Sequence, residues 1–280
     1  MKALVLCLDG LEYNLVTEGG YRNLLQVEHG KVRVPILDAG EPSTPIVWVS
    51  FITGEQPAVH GVDFSSKVNS PLVDKLASFT SNFLGNRLYR RLLTAGTPVR
   101  RWLKTHKSFR STMPTKEDIL VPTIFDVVSS SVHVSLPILD YDISERYNGV
   151  LGAIINPAER VQYTNFLLND FREDKLALLK VWGKYELIMC HFHIPDLWGH
   201  IYCRDDEKMY QLYGLLDAYV KFLSDKLGAV FLLIISDHGI DKNFGHSNYG
   251  YYSCNRKLGL DCPDITDFYA IILEALNEAL

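Results

Sequence analysis

A chain of 280 residues, 47% apolar and 22% charged with a formal net charge of −5, fits one large α/β domain or a domain carrying an insertion, and excludes disordered and fibrous classes. No apolar run reaches the ~18–20 residues of a membrane span, and the opening run 3–8 is too short for the apolar region of a signal peptide. Five cysteines without a Cys-x-x-Cys pair point to reduced thiols and a cytoplasmic protein.

The chain opens with a strand at 2–8, closed by Asp9-Gly10. Leu11, Leu15 and Val16 follow, so Asp9 reads either as the N-cap of a helix or as a functional carboxylate at a strand end. A helix ending near Gly30 and a second strand at 31–36 come next. From Pro42 to Gly54, a proline at the first turn, apolar residues through Ile52 and a terminal glycine describe a short buried helix with Thr44 as its N-cap. The Thr44 hydroxyl is a plain cap, or a nucleophile whose phosphate target gains from the positive helix end. His60-Gly61 reads as a turn.

The character changes at 75–116. This stretch carries Lys75, Arg87, Arg90, Arg91, Arg100, Arg101, Lys104, Lys107, Arg110 and Lys116 and no acidic residue. Leu84, Leu88 and Leu92 recur at helical spacing. We read 63–118 as a basic helical cap inserted into a catalytic core formed by 1–62 and 119–280. The basic run is a solvated face, or it recruits an anionic substrate, nucleic acid or an anionic surface. Its scarcity of aromatic residues argues against a dedicated nucleic-acid groove. An apolar stripe on the cap suits a homodimer contact.

Alternation of helix and strand then resumes. A helix runs through Val128, a strand covers 132–136, and an apolar run at 149–155 reads as another strand. Asn156-Pro157 opens a long amphipathic helix, and 186–192 is a buried strand followed by His193-Ile194-Pro195-Asp196-Leu197-Trp198-Gly199-His200. A helix at 205–227 leads into 229–235, apolar on both faces, as expected of a central parallel strand. That strand ends in Ser236-Asp237-His238-Gly239; a strand at 249–253 and a helix at 265–280 close the chain. The pattern predicts an α/β fold with a doubly wound, mostly parallel sheet.

In such sheets ligands sit at the carboxyl ends of the strands. Asp9, Asp196 and Asp237 each follow an apolar strand directly or within a few residues, with His200, His238 and His246 close by. Three carboxylates and three imidazoles there form a ligand set for two divalent cations, Zn²⁺ above all, with Mn²⁺ or Fe²⁺ as alternatives. His191 and His193 read as core histidines or as partners of the ligands.

Taken in order, Leu8-Asp9-Gly10, the helix from Thr44 to Thr53-Gly54, His60-Gly61, Pro195-Asp196-Leu197-Trp198-Gly199-His200, Ser236-Asp237-His238-Gly239 and His246 resemble the alkaline phosphatase superfamily, in its type I phosphodiesterase/nucleotide pyrophosphatase branch. The resemblance implies an alkaline-phosphatase-like fold with one metal on Asp9, Thr44, Asp237 and His238, and another on Asp196, His200 and His246. It implies a metal-activated Thr44 nucleophile and a covalent phospho- or nucleotidyl-threonine. The substrate is then a small phosphate ester or nucleotide. Where diesterases of the branch commonly place an asparagine after the His-Gly pair, this chain has Ser65, a weaker phosphate donor. Ser43-Thr44-Pro45-Ile46-Val47 lacks the arginine of the sulfatase signature. Alternatives are a phosphomonoesterase or phosphotransferase using the same threonine, and a non-catalytic metalloprotein whose basic insertion binds a polyanion.

Overall fold

The computed structural model describes residues 1–36, 40–62, 114–140, 149–228 and 230–278. Ser65 and 75–113 of the basic stretch lie outside the described residues. Met1–Asp63 and Pro114–Leu280 form one compact unit. On either side of the residues not described, the Leu120 amide donates to the His60 carbonyl at 3.0 Å.

Six strands, β1 (Ala3–Leu8), β2 (Glu28–Arg33), β3 (Ser131–Val134), β4 (Leu187–Phe192), β5 (Phe231–Ser236) and β6 (Tyr249–Cys254), form one sheet in the order β2-β6-β5-β1-β4-β3. The run β3-β4-β1-β5 is parallel, whereas β6 is antiparallel to both its neighbours. Central β1, β4 and β5 are buried at every position. That is why they are continuous apolar runs and not alternating ones.

The described helices are α1 (Tyr13–Gly19), α2 (Arg22–Leu25), α3 (Thr44–Thr53), α4 (Pro57–His60), α5 (Ile124–Val127), α6 (Val150–Ile155), α7 (Pro157–Val181), α8 (Ile194–Tyr202), α9 (Asp206–Leu227) and α10 (Asp267–Glu278). They cover both faces of the sheet. Leu4, Leu6 and Leu8 of β1 pack with Leu167 and Phe171 of α7, Leu197 of α8 and Leu216 and Val220 of α9. Ala3, Val5 and Cys7 point the other way, to Val47, Trp48 and Phe51 of α3 and Phe268 and Ile272 of α10. The period-2 alternation of β1 thus feeds two cores, the doubly wound arrangement expected. Every residue of α3 is buried, which its apolar composition on all sides requires.

Three local expectations need correction. The run 149–155 is not a strand: Val150–Ile155 is helical, with Val150 and Ala153 buried and Ile155 70% exposed. An apolar run this short does not distinguish strand from helix by period. The second strand begins at Glu28, not Lys31, so Gly30 lies inside it and does not end a helix. A side-chain carbon at Gly30 would lie 2.8 Å from the Tyr252 ring, so close packing explains that glycine. Finally, Ser43 is the N-cap of α3 and Thr44 its first residue.

No described helix is long and apolar enough to cross a membrane. All five cysteines are free thiols, four of them buried.

Candidate metal centre and active site

Asp9 and Asp237 leave the carboxyl ends of neighbouring parallel strands, β1 and β5. The Gly10 amide donates to Asp237 Oδ1 at 3.3 Å. The Ser236 hydroxyl accepts from the Leu11 amide at 2.9 Å and donates to the His238 carbonyl at 2.7 Å. One serine therefore ties the turn after β1 to the turn after β5. Asp9 is not a helix cap; Glu12 caps α1 by accepting from the Asn14 amide.

Thr44 opens α3 beside these carboxylates, 5% exposed, with Oγ1 3.1 Å from His238 Nε2. His238 Nδ1 lies 3.2 Å from the Gly239 carbonyl. A carbonyl only accepts, so Nδ1 carries the hydrogen and Nε2 presents its lone pair to the site. Nε2 is 3.3 Å from Asp237 Oδ2 and 3.5 Å from Asp9 Oδ1. Burial, reinforced by the neighbouring His246, lowers the His238 pKa to about 3 and keeps the ring neutral.

Asp196 and His200 lie one turn apart on α8, which starts directly after β4. His200 Nε2 is 3.3 Å from Asp196 Oδ1. His246 arrives from the loop between β5 and β6, its Nε2 3.2 Å from His200 Nε2 and 3.8 Å from Asp196 Oδ1. Its ring stacks on His238 with centroids 3.9 Å apart and planes at 11°. The sets Asp9/Thr44/Asp237/His238 and Asp196/His200/His246 therefore meet at one centre.

The electrostatics of the three carboxylates call for cations. Burial, then the charge of Asp196, pushes Asp9 well above the ordinary carboxylate range; burial, then Asp9 and Asp196, does the same to Asp237. Burial works most strongly against charge on Asp196, yet His200, His238 and His246 together outweigh it and hold Asp196 below its usual range. Against burial, Asp196 raises His200 in turn. Both Asp9 oxygens and Asp237 Oδ2 are buried without a hydrogen-bond donor of acceptable geometry. Among the described residues the salt-bridge partners of Asp9 and Asp237 are imidazoles. Buried charge so lightly compensated is costly. Ligand atoms of Asp9, Asp237 and His238, and of Asp196, His238 and His246, fall within 4.8 Å of one another. The residues present fit divalent metal with mixed oxygen and nitrogen ligation.

Around this centre sit residues whose parts the sequence left open or hid. His193 Nδ1 lies 2.7 Å and His191 Nε2 3.6 Å from Asp9 Oδ2, all three residues being buried. They approach the Asp9 oxygen other than the one nearest His238, their ligand atoms and that of Asp9 lying within 4.8 Å of one another, with Trp48 edge-on to His191 at 5.1 Å. His60 is wholly buried, within 3.0 Å of Ser50 Oγ through Nε2, and accepts from the Val62 amide through Nδ1 at 3.1 Å. It pins α4 to the helix that carries Thr44, which is more than a turn requires. Glu12, with no motif around it, is a buried acceptor for Ser247 and Tyr249.

The fold has a counterpart among known proteins. The PH0037 protein from Pyrococcus horikoshii has 12% identity and a TM-score of 0.50, covering 99% of this chain and 97% of its own. Murine ectonucleotide pyrophosphatase/phosphodiesterase 5 has 15% identity and a TM-score of 0.46, and an inactive variant of it in complex with AMP has 15% and 0.47. The match to either murine structure covers 85% of this chain but 57% of the murine chain. No curated protein matches in sequence. The family profile described as type I phosphodiesterase / nucleotide pyrophosphatase matches residues 3–258. A match over that span, carrying both strand-end carboxylates, α3 and the three histidines, makes this chain a member of the type I phosphodiesterase/nucleotide pyrophosphatase family.

Proposed function

We propose that the protein is a two-metal phosphodiesterase or nucleotide pyrophosphatase with Thr44 as its nucleophile. The observation that carries this reading is the Thr44 hydroxyl at the head of a buried helix, 3.1 Å from His238 Nε2, which itself lies 3.5 Å from Asp9 and 3.3 Å from Asp237, both buried. Asp9, Asp237 and His238, with Thr44 itself, would hold one divalent ion; Asp196, His200 and His246 would hold the other. Zn²⁺ suits this mixture of imidazole and carboxylate best, then Mn²⁺ or Fe²⁺. When bound, the ions supply the positive charge that favours the threonine alkoxide and stabilises a phosphoryl group in transfer.

The chain's own residues supply orientation. In the first turn of α3 the Val47 amide donates to the Ser43 carbonyl at 2.9 Å and Pro45 carries no N–H, which leaves the Thr44 and Ile46 amides at the end where an anion gains from the helix dipole. Thr44 Oγ1 loses its proton and forms a bond to phosphorus as the ester or anhydride bond breaks; the leaving alcohol, from an ester, or phosphate, from an anhydride, departs with a proton. Water then attacks phosphorus, cleaves the phospho- or nucleotidyl-threonine and restores the hydroxyl. The neutral His238 ring, fixed through Nδ1 by the Gly239 carbonyl, keeps its lone pair aimed at the centre throughout. We assign 63–118, Ser65 included, to a segment inserted in sequence between the two parts of the core, 1–62 and 119–280, whose basic residues attract an anionic substrate.

The test is hydrolysis of an aryl phosphodiester and the matching monoester by metal-stripped protein reloaded with Zn²⁺ or Mn²⁺. We expect metal-dependent diester cleavage that Thr44→Ala abolishes while keeping metal. Wild-type turnover by Thr44→Ala removes the nucleophile assignment. A monoester preference would favour the phosphatase reading.

A further inference from the structure

The loop between β5 and β6 delivers His246 to the centre, although it is neither helix nor sheet, so its position must be set from elsewhere. Within the loop, Asp241 Oδ1 accepts from the amides of Asn243 at 2.6 Å and Gly245 at 3.0 Å. Ile240 and His246 form an antiparallel bridge. The base of the loop is closed by the Ser247 amide donating to the Gly239 carbonyl at 2.9 Å.

Glu12 holds that base. Its Oε2 accepts from Ser247 Oγ at 2.6 Å and its Oε1 from Tyr249 Oη at 3.0 Å and the Asn14 amide at 3.1 Å. The residue is 5% exposed, and its own amide donates to Tyr213 Oη at 2.7 Å. A side-chain carbon on Gly239 would lie 2.0 Å from Glu12 Oε2. The glycine after His238 is thus what admits the carboxylate to the loop. A carboxylate accepts several hydrogen bonds at once and donates none, which an amide in its place does not reproduce.

We infer that Glu12 is a positioning residue, acting through Ser247 and Tyr249 to hold His246 against Asp196 and His200 and so to set the affinity of that half of the centre for a divalent ion. The turn that delivers Asp9 then also fixes a ligand from the far end of the chain. The inference rests on the two-metal reading above.

The test is calorimetric titration of metal-stripped protein with Zn²⁺, for wild type, Glu12→Gln, His246→Ala and the double variant, with circular dichroism as a control of folding. Wild type should take two equivalents. Glu12→Gln should keep one at wild-type affinity and weaken the other about 10–100-fold, the range for lost partners of metal ligands. His246→Ala should weaken the same equivalent, and the double variant should lose no more than His246→Ala alone, since groups acting through one another are not additive. Should Glu12→Gln fail to fold, Tyr249→Phe, which removes one donor, should show a smaller loss in the same equivalent. Two unweakened equivalents in a folded Glu12→Gln or Tyr249→Phe, or additive losses in the double variant, overturn the inference. A wild type that binds no zinc overturns the two-metal reading instead.

Discussion

Gly10→Ala tests whether the close approach of two chain segments builds the centre. Gly10 has φ of +71°, and a side-chain carbon there would lie 2.6 Å from Asp196 Cα, 2.7 Å from its Cβ and 3.0 Å from its amide nitrogen. The neighbour is helix backbone, so no side chain can swing aside. Alanine in the left-handed region costs ~1–2 kcal/mol, and forcing an extra carbon into packed surroundings ~1–3 kcal/mol more. The expected loss is ~2–5 kcal/mol, a large part of the ~5–15 kcal/mol typical of a folded domain. Relief of the contact requires the Asp9 turn and the first turn of α8 to separate by about 1 Å to reach ordinary carbon–carbon distance.

That separation pulls Asp9 and Asp237 away from Asp196. A misplacement of ~1 Å in a catalytic array can cost ~100-fold in rate. Urea unfolding of the metal-free protein reads the loss of stability, and zinc titration reads the displacement of the carboxylates. We expect a lower midpoint at unchanged slope, together with weaker binding of the two equivalents. A variant within ~0.5 kcal/mol of wild type, as for an ordinary surface substitution, with two tight equivalents would refute the reasoning.

Three further outcomes follow from the same geometry. Burial lowers His60 to about 4 from its ordinary 6.5, so the unfolded chain binds more protons between those values. Its contribution is complete above pH 6.5 and is lost as pH falls through 4, at most about 3 kcal/mol; unfolding midpoints of wild type and His60→Gln across that window should converge toward low pH. Chelation should destabilise the protein, because metal that binds only the folded state contributes ~4 kcal/mol at 1,000 times its Kd; a melting temperature indifferent to chelator would contradict the electrostatics of Asp9 and Asp237. His193→Phe, which removes the imidazole 2.7 Å from Asp9 Oδ2, should weaken zinc at the Asp9 half of the centre ~10–100-fold, and unchanged binding would return His193 to a purely packing role.

Much of the fold was legible because its signals are local. The apolar runs of β1, β4 and β5 mark strands buried on both faces, and Pro45 and Gly54 bracket α3. The cluster of candidate ligands was legible for a related reason: few side chain types ligate cations, and in parallel sheets such residues gather at strand ends. Legibility failed where one local pattern serves two structures. Residues 149–155 are apolar enough for a strand, yet pack as the helix α6 against the side of α7. Gly30 resembles a helix stop but lies in β2 because the Tyr252 ring crowds it.

Glu12 marks the limit of such reading in a more instructive way. Nothing in Gly10-Leu11-Glu12-Tyr13 distinguishes this glutamate from a solvated one at a helix start, where an acidic residue is ordinary. Its partners Ser247 and Tyr249 stand near the opposite end of the sequence and meet it because β5 lies directly beside β1 with β6 next to it. Parallel pairing thus gathers side chains by strand order, not by spacing along the chain. The ligands betray themselves by residue type, whereas the groups that orient them are ordinary residues made special by topology. The affinity of the His246 half of this centre is therefore a property of the sheet as much as of its ligands, and exchanging the ligand set alone onto another loop would not carry it over.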